Sequence, residues 1–140
     1  MTQSQDSKRE RKDHTTLKAW TVGHDLIVQT DTFLQEYRDD PRLKPWCDEL
    51  LITLRDSIVQ VIEGYYKRDT ADKWRRYEAA GFYIEKARYT VKLGQDLGWW
   101  HLEEWLTNSE SYLNLVRATS YYLYKDLHPK VSDKPKQEIT

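Results

Sequence analysis

The stretch WCDELLITLRDSIVQVIEGYYK, residues 46–67, decides the fold of this chain. Its apolar residues recur at alternating steps of four and three positions, which places them along one face of an α-helix. The residues on this face are Cys47, Leu51, Leu54, Ile58, Val61 and Tyr65. A helix with one long apolar face needs neighbours to cover that face. The stretch therefore predicts a helix that packs in a bundle.

Three further segments, at about residues 16–37, 71–97 and 102–127, have the same helical spacing. In the first of them, large apolar residues recur every seven positions, at Trp20, Ile27 and Leu34. The second alternates large and small side chains along its apolar face, at Tyr77, Ala80, Ile84, Ala87, Val91 and Gly94. The apolar face of the third is made of Leu102, Leu106, Ser109, Leu113, Val116, Ser120, Leu123 and Leu127.

The connections between these segments are short. Pro41 and Pro45 end the first helix, because proline lacks an amide donor and disfavours helix in the residue before it. Asp69 or Thr70 can cap the third helix by accepting its free amide groups. Gly98 is placed to end that helix in a left-handed turn. Short connections between long helices place consecutive helices side by side in opposite directions.

These observations predict an all-α fold, an antiparallel up-down-up-down four-helix bundle over residues 15–127. Residues 1–14 and 128–140 carry many charges and little to bury, so we expect two disordered tails. Apolar runs stay well below the roughly 20 residues that span a bilayer, and the amino terminus has no hydrophobic signal core. We therefore expect a soluble, cytoplasmic protein that has no membrane partner.

Residues with catalytic or metal-binding chemistry do not form recognisable motifs. A di-metal site in a helical bundle uses Glu-x-x-His pairs, and the chain contains none. Phosphate-binding glycine loops and nucleophile elbows are also missing, and we assign packing or surface positions to Cys47 and His24. Glu63 is either a buried acid with a partner or a residue at the rim of the helix, and we favour the rim. We expect no enzymatic activity, no metal site and no cofactor.

The formal net charge of -1 conceals a division along the chain. Residues 15–66 carry five basic and nine acidic side chains, whereas residues 67–92 carry eight basic and four acidic ones. The cations of the third helix either form ion pairs with acids one turn away on a solvated face, or make a positive surface for phosphate groups. The charge pattern alone favours the solvated face. The candidate nucleic-acid-binding residues are Lys67, Arg68, Lys73, Arg75, Arg76, Lys86, Arg88 and Lys92.

Aromatic residues are more numerous than the apolar faces can bury, with 6 Trp, 10 Tyr and 2 Phe. Exposed aromatic surface of this extent usually marks a protein interface. We predict self-association through Trp46, Tyr66, Trp99, Trp100, Trp105, Tyr121 and Tyr124. A separate protein partner is the second interpretation, and stacking of nucleic-acid bases is the third.

Six phrases add a family resemblance, which covers residues 17 to about 127. They are LKAW at 17–20, IEGYYKRD at 62–69, KWRRY at 73–77, EKARY at 85–89, LGQDLGW at 93–99 and EEW at 103–105. Together they resemble the four-helix-bundle proteins encoded in intervening sequences of 23S ribosomal RNA. The second and fourth phrases are closer still to the related Avd-type accessory proteins of diversity-generating retroelements.

The resemblance to Avd-type proteins implies a function. Such proteins are homopentameric accessory subunits that bind a reverse transcriptase and its template RNA through basic surfaces. The aromatic residues above would then join the subunits, and the cations of the third helix would contact RNA or the polymerase. The intervening-sequence branch of the resemblance implies the alternative, a protein-interaction scaffold with no nucleic-acid role.

Overall fold

The computed structural model describes residues 13–129, which contain four α-helices and no strand. The helices are α1 (Lys18–Arg38), α2 (Lys44–Tyr66), α3 (Thr70–Asp96) and α4 (Glu103–Leu127). The all-helical prediction is confirmed, and the arrangement is compatible with a four-helix bundle. Residues 1–12 and 130–140, where most of the two predicted tails fall, lie outside the described residues. Asp13 and His14, which we had assigned to the first tail, begin a short 3-10 turn instead.

Each helix packs against two of the others. Helix α1 contacts α2 and α4, and helix α3 also contacts α2 and α4. Side chains from all four helices meet in one core, whose largest fully buried members include Leu34, Leu50, Leu54, Ile84, Trp105 and Tyr112. Within residues 13–129, none of the helices is both long enough and apolar enough to cross a membrane.

The predicted apolar face of α3 is confirmed, since all six of its residues are buried. Gly94, the small residue at the end of this face, leaves room for the indole ring of Trp100, which lies directly over it. A Cβ atom at Gly94 would stand 2.4 Å from Trp100 Cε2. The indole Nε1 donates a hydrogen bond of 2.9 Å to the carbonyl oxygen of Val91. The gap left by this glycine is therefore filled by an aromatic side chain from the following turn.

The buried face of α2 is wider than the spacing predicted. Leu51 and Tyr65, which we placed on that face, are half-buried, whereas Leu50, Ser57 and Gly64 are buried although the prediction omitted them. The reason is that α2 is covered by two helices, α1 and α3, so two adjacent lines of residues point inward.

Two tryptophans that we predicted at an exposed interface belong to the core instead. Trp100 is 3% exposed and Trp105 is 0% exposed, so neither can contact another molecule. Trp105 Nε1 donates to Thr30 Oγ1 at 2.6 Å, which joins α4 to α1. The polar edge of each indole ring has a hydrogen-bond partner inside the chain, and this satisfies the donor that burial would otherwise leave unpaired.

The connections follow the predicted chemistry. Of the two candidate caps for α3, Asp69 is the one used, and its carboxylate accepts from the amide of Asp72 at 3.0 Å. Gly98 has a φ of 77° and ends α3 in the left-handed turn that we predicted. The amide of Trp99 donates to the carbonyl of Gly94 at 2.7 Å, the six-to-one hydrogen bond of a Schellman motif. These two connections fix where α3 begins and ends.

Candidate nucleic-acid interface

Basic side chains gather where α2 passes into α3, because only residues 67–69 separate the two helices. A cleft of about 350 Å³ between the helices is lined by Gln60, Lys67, Asp72, Arg75, Arg76 and Ala79. A second cleft of about 500 Å³ is lined by Tyr65, Tyr66, Lys67 and Arg68. Lys67 belongs to both clefts, so the two form one surface. We call the residues Tyr65, Tyr66, Lys67, Arg68, Arg75 and Arg76 the basic corner.

Lys73 fixes the basic corner from the inside. Its Nζ donates to the carbonyl oxygens of Gly64 at 2.7 Å and Tyr65 at 3.1 Å, which are among the last carbonyls of α2. These carbonyls carry the negative end of the helix dipole, and a cation there is favourable. Partial burial lowers the pKa of the Lys73 ammonium. We had placed Lys73 among the nucleic-acid contacts, but its ammonium is engaged within the chain.

Arg75 and Arg76 form ion pairs at the surface of the corner. Arg75 Nη1 lies 2.9 Å from Asp72 Oδ1, and Arg76 Nη1 lies 3.0 Å from Glu63 Oε1. The second pair places Glu63 at the rim of its helix, the position that we favoured. Exposed ion pairs of this kind contribute about 1 kcal/mol or less. An incoming phosphate group can therefore compete with the carboxylate for either guanidinium.

Five of the predicted cations form no ion pair with any residue in 13–129, and two of the five, Lys73 and Arg88, are hydrogen-bonded within the chain. Of the other three, Lys67 and Arg68 lie in the basic corner. The third, Lys86, is exposed farther along α3. Lys92 lies six residues beyond Lys86, and its Nζ is 3.8 Å from Asp96 Oδ1. The unpaired cations of the corner are thus adjacent to the paired arginines, and together they make the largest group of outward-facing basic residues on α3 and its link.

Arg88 has a different role from the one predicted. Its Nη1 donates to the carbonyl oxygen of Leu106 at 2.8 Å and to Ser109 Oγ at 2.6 Å. Both acceptors belong to α4, and the Arg88 side chain is half-buried between the two helices. Arg88 therefore ties α3 to α4 and does not belong to the candidate interface.

His14 lies next to the basic corner, and the sequence predicted neither this residue nor Tyr65 as part of the candidate site. The amide of His14 donates to the hydroxyl of Tyr66 at 3.3 Å, and its ring Nδ1 lies 3.1 Å from the same oxygen. Tyr65 meets the Tyr66 ring edge-on, with centroids 5.0 Å apart. The His14 contact joins positions 52 residues apart, so no local pattern could have indicated it. The half-exposed Tyr66 ring beside Lys67 is suited to stacking on a base.

The remaining residues of the predicted aromatic interface lie in two places, since Tyr121 and Tyr124 line one cleft together with Trp74. Trp46 and Trp99 pack on each other with centroids 4.8 Å apart, at the end of the bundle opposite the basic corner. Tyr124 is half-buried against Trp74, with centroids 6.0 Å apart. Tyr121 is exposed and lies 5.3 Å from the Nζ of Lys125. The structure does not bring the predicted aromatic residues into one continuous surface.

Within the part of the chain that the structure describes, no three His, Cys, Asp or Glu residues could hold a metal ion. What the basic corner can do chemically is bind anions, through Lys and Arg donors that surround tyrosine rings. No protein-family model, curated protein or solved structure matches this chain.

Proposed function

We propose that this protein is a non-enzymatic, homo-oligomeric accessory subunit that binds RNA and a reverse transcriptase, as the Avd-type proteins that its sequence resembles do. The fold that belongs to this proposal is an antiparallel up-down-up-down bundle. It is supported by contacts such as that of Lys73, near the start of α3, with the end of α2. The number of copies that the resemblance implies is five. A cytoplasmic location goes with these partners.

The observation that carries the proposal is the basic corner itself. Lys67 and Arg68 have no ion-pair partner among residues 13–129, and they adjoin the exposed ring of Tyr66 in a cleft of about 500 Å³. Cations bind phosphates, and an exposed aromatic ring stacks on a base, which is how proteins bind single-stranded nucleic acid with little sequence preference. Because the net charge of the chain is -1, attraction to RNA must come from this local surface.

A charge-reversal experiment tests the corner. Lys67→Glu combined with Arg68→Glu should weaken binding of a labelled single-stranded RNA by about tenfold or more, measured by fluorescence anisotropy. The slope of log affinity against log salt should become shallower by about 1.4, since two phosphate contacts are lost. The matched control is Arg42→Glu with Lys44→Glu, the same charge change at the opposite end of the bundle. Equal weakening in the two double variants, or no weakening in the first, would remove the corner as the binding site.

A second candidate function is a protein-interaction scaffold with no nucleic-acid role. It is favoured by the ion pairs of Arg75, Arg76 and Lys92, which already satisfy part of the cationic helix within the chain. Under this function the wild-type protein has no measurable affinity for RNA at low salt. Anisotropy measurements on the wild-type chain therefore separate the two candidates before any variant is made.

A further inference from the structure

An apolar groove that no other part of residues 13–129 fills runs between α1 and α2. It has a volume of about 500 Å³, and its floor and walls are formed by Ile27, Val28, Leu51 and Ile52, with Asp31 and Arg55 at the edges. Val28 is 54% exposed and Ile52 is 50% exposed, a large fraction for branched aliphatic side chains. Unlike the basic corner, the groove is lined mainly by aliphatic side chains.

A second unpartnered surface is a ridge on the outside of α3. Phe82 and Tyr89 are 66% and 65% exposed, and Lys86 between them is exposed without an ion pair among residues 13–129. These three residues are separated by four and three positions, so they project from one face of the helix. We call Phe82, Lys86 and Tyr89 the α3 ridge. Most of each ring is exposed, although the Phe82 ring meets the Tyr83 ring edge-on, with centroids 5.9 Å apart.

The groove and the α3 ridge are complementary in shape and in charge. The groove is concave and aliphatic, whereas the ridge is convex and aromatic, with side chains at the spacing by which a helix anchors in a groove. Residues 24–35 and 48–59, which form the walls of the groove, have one basic and five acidic side chains, and residues 79–93, around the ridge, have three basic and one acidic. The opposite excess charges attract each other, whereas two ridges or two grooves repel.

We propose that the α3 ridge of one copy docks in the α1–α2 groove of a second copy, so that copies join head to tail. The inference rests on the proposed self-association and names the two surfaces that produce it. Because the joined surfaces differ, every added copy still presents a free groove or a free ridge. With the five copies proposed above, assembly ends when the last copy meets the first and closes a ring. This interface takes the place of the aromatic interface that the sequence predicted.

Two single variants and their mixture test the head-to-tail arrangement. Ile52→Glu puts a charge in the groove, and Phe82→Glu puts one on the ridge. Both side chains are exposed, so each variant should keep the wild-type circular dichroism spectrum. Each variant alone should have the mass of one chain in light scattering. An equimolar mixture should form a dimer and nothing larger, because it contains one intact ridge and one intact groove that can still meet. Tyr122→Glu, at a 66% exposed position of α4, is the control and should keep the wild-type mass.

The outcomes separate the two proposals. If the wild-type protein has the mass of one chain, the proposed self-association fails, and the inference fails with it. If the wild-type protein is an oligomer but both variants keep its mass, the inference alone is overturned. Variants that become monomers without forming a dimer when mixed also overturn it, because that result requires each surface to meet its own copy. If Tyr122→Glu is the only variant that loses assembly, the interface lies on α4 and the inference is overturned.

Discussion

At the scale of single residues, the core contains a chain of hydrogen bonds that connects three helices. Ser57 Oγ donates its proton to the carbonyl oxygen of Ala80 at 2.8 Å, so this hydroxyl can only accept in its second hydrogen bond. The buried hydroxyl of Tyr112 therefore donates to Ser57 Oγ, also at 2.8 Å. Burial raises the pKa of the Tyr112 phenol, because a phenolate would have to stand in the apolar core.

The raised pKa of Tyr112 predicts how stability depends on pH. The folded protein holds the phenol proton more tightly than the unfolded chain, whose tyrosines ionise near pH 10, at about their ordinary pKa. Below that pH both states are protonated and the group has no effect. Above about pH 10 the free energy of unfolding should fall, by at most about 1.4 kcal/mol per pH unit from this one group.

Urea unfolding of the wild-type protein and Tyr112→Phe between about pH 8 and about pH 11 checks this dependence. The variant should lose less stability over the range, because Phe has no proton to release. Tyr77, whose phenol pKa is also raised by burial, is present in both proteins, so the difference between the two profiles reports on the Tyr112 hydroxyl. Identical pH profiles for the two proteins would contradict the assignment.

Gly94 and Gly81 predict opposite effects of the same substitution. A Cβ at Gly94 would overlap the buried Trp100 ring at 2.4 Å, whereas a Cβ at Gly81 would meet only Val116 Cγ1, at 3.8 Å. Gly94→Ala should lower the free energy of unfolding by about 1–3 kcal/mol as the core repacks. Gly81→Ala should raise it by about 0.5–1 kcal/mol, since alanine favours helix. Urea unfolding measures both, and a stabilised Gly94→Ala variant would show that the Trp100 ring moves freely.

At the scale of helices, the sequence predicts each element but not which rings it buries. All four helices were expected from spacing, and their ends differ from the predicted ends by two residues or fewer. Trp105 was expected on the outside because the aromatic residues are more numerous than the apolar faces can bury. Its burial depends on Thr30, which is 75 positions away and belongs to another helix. Local spacing contains no information about such a partner.

In the candidate site too, features that depend on residues close in sequence could be predicted, whereas features that depend on distant residues could not. The grouping of Lys67, Arg68, Arg75 and Arg76 could be predicted, because all four lie within one short link and the first turns of α3. The internal role of Arg88 could not, because its acceptors lie on α4. Charge counts along a sequence report how many cations are close together, and the fold decides which of them point outward.

The start of α3 supplies a test at this scale. Asp69 accepts the amide of Asp72, whereas the neighbouring Thr70 is already helical. Asp69→Ala should cost about 1 kcal/mol of unfolding free energy, and Asp69→Ser should recover most of it, because serine caps a helix nearly as well. Thr70→Ala should change stability by less than about 0.5 kcal/mol. Urea unfolding measures all three, and a larger loss for Thr70→Ala than for Asp69→Ala would assign the cap to the threonine.

At the scale of the whole molecule, one core holds the four helices, and this predicts cooperative unfolding. Side chains from every helix are buried in the same cluster, so no helix has a core of its own to keep it folded alone. Urea unfolding followed by circular dichroism and by tryptophan fluorescence should give coincident single transitions. A circular dichroism transition that continues after the fluorescence change is complete would show that part of the bundle survives separately.

The two ends of the described chain lie at the same end of the molecule. His14 touches Tyr66 at the end of α2, and Tyr124, near the end of α4, touches Trp74 in the first turns of α3. A short peptide bridge could thus make the backbone circular, and the circle could be opened at residues 99–101, on the far side. Such a permuted chain would move both attachment points for a fusion partner away from the basic corner, to which His14 lies adjacent.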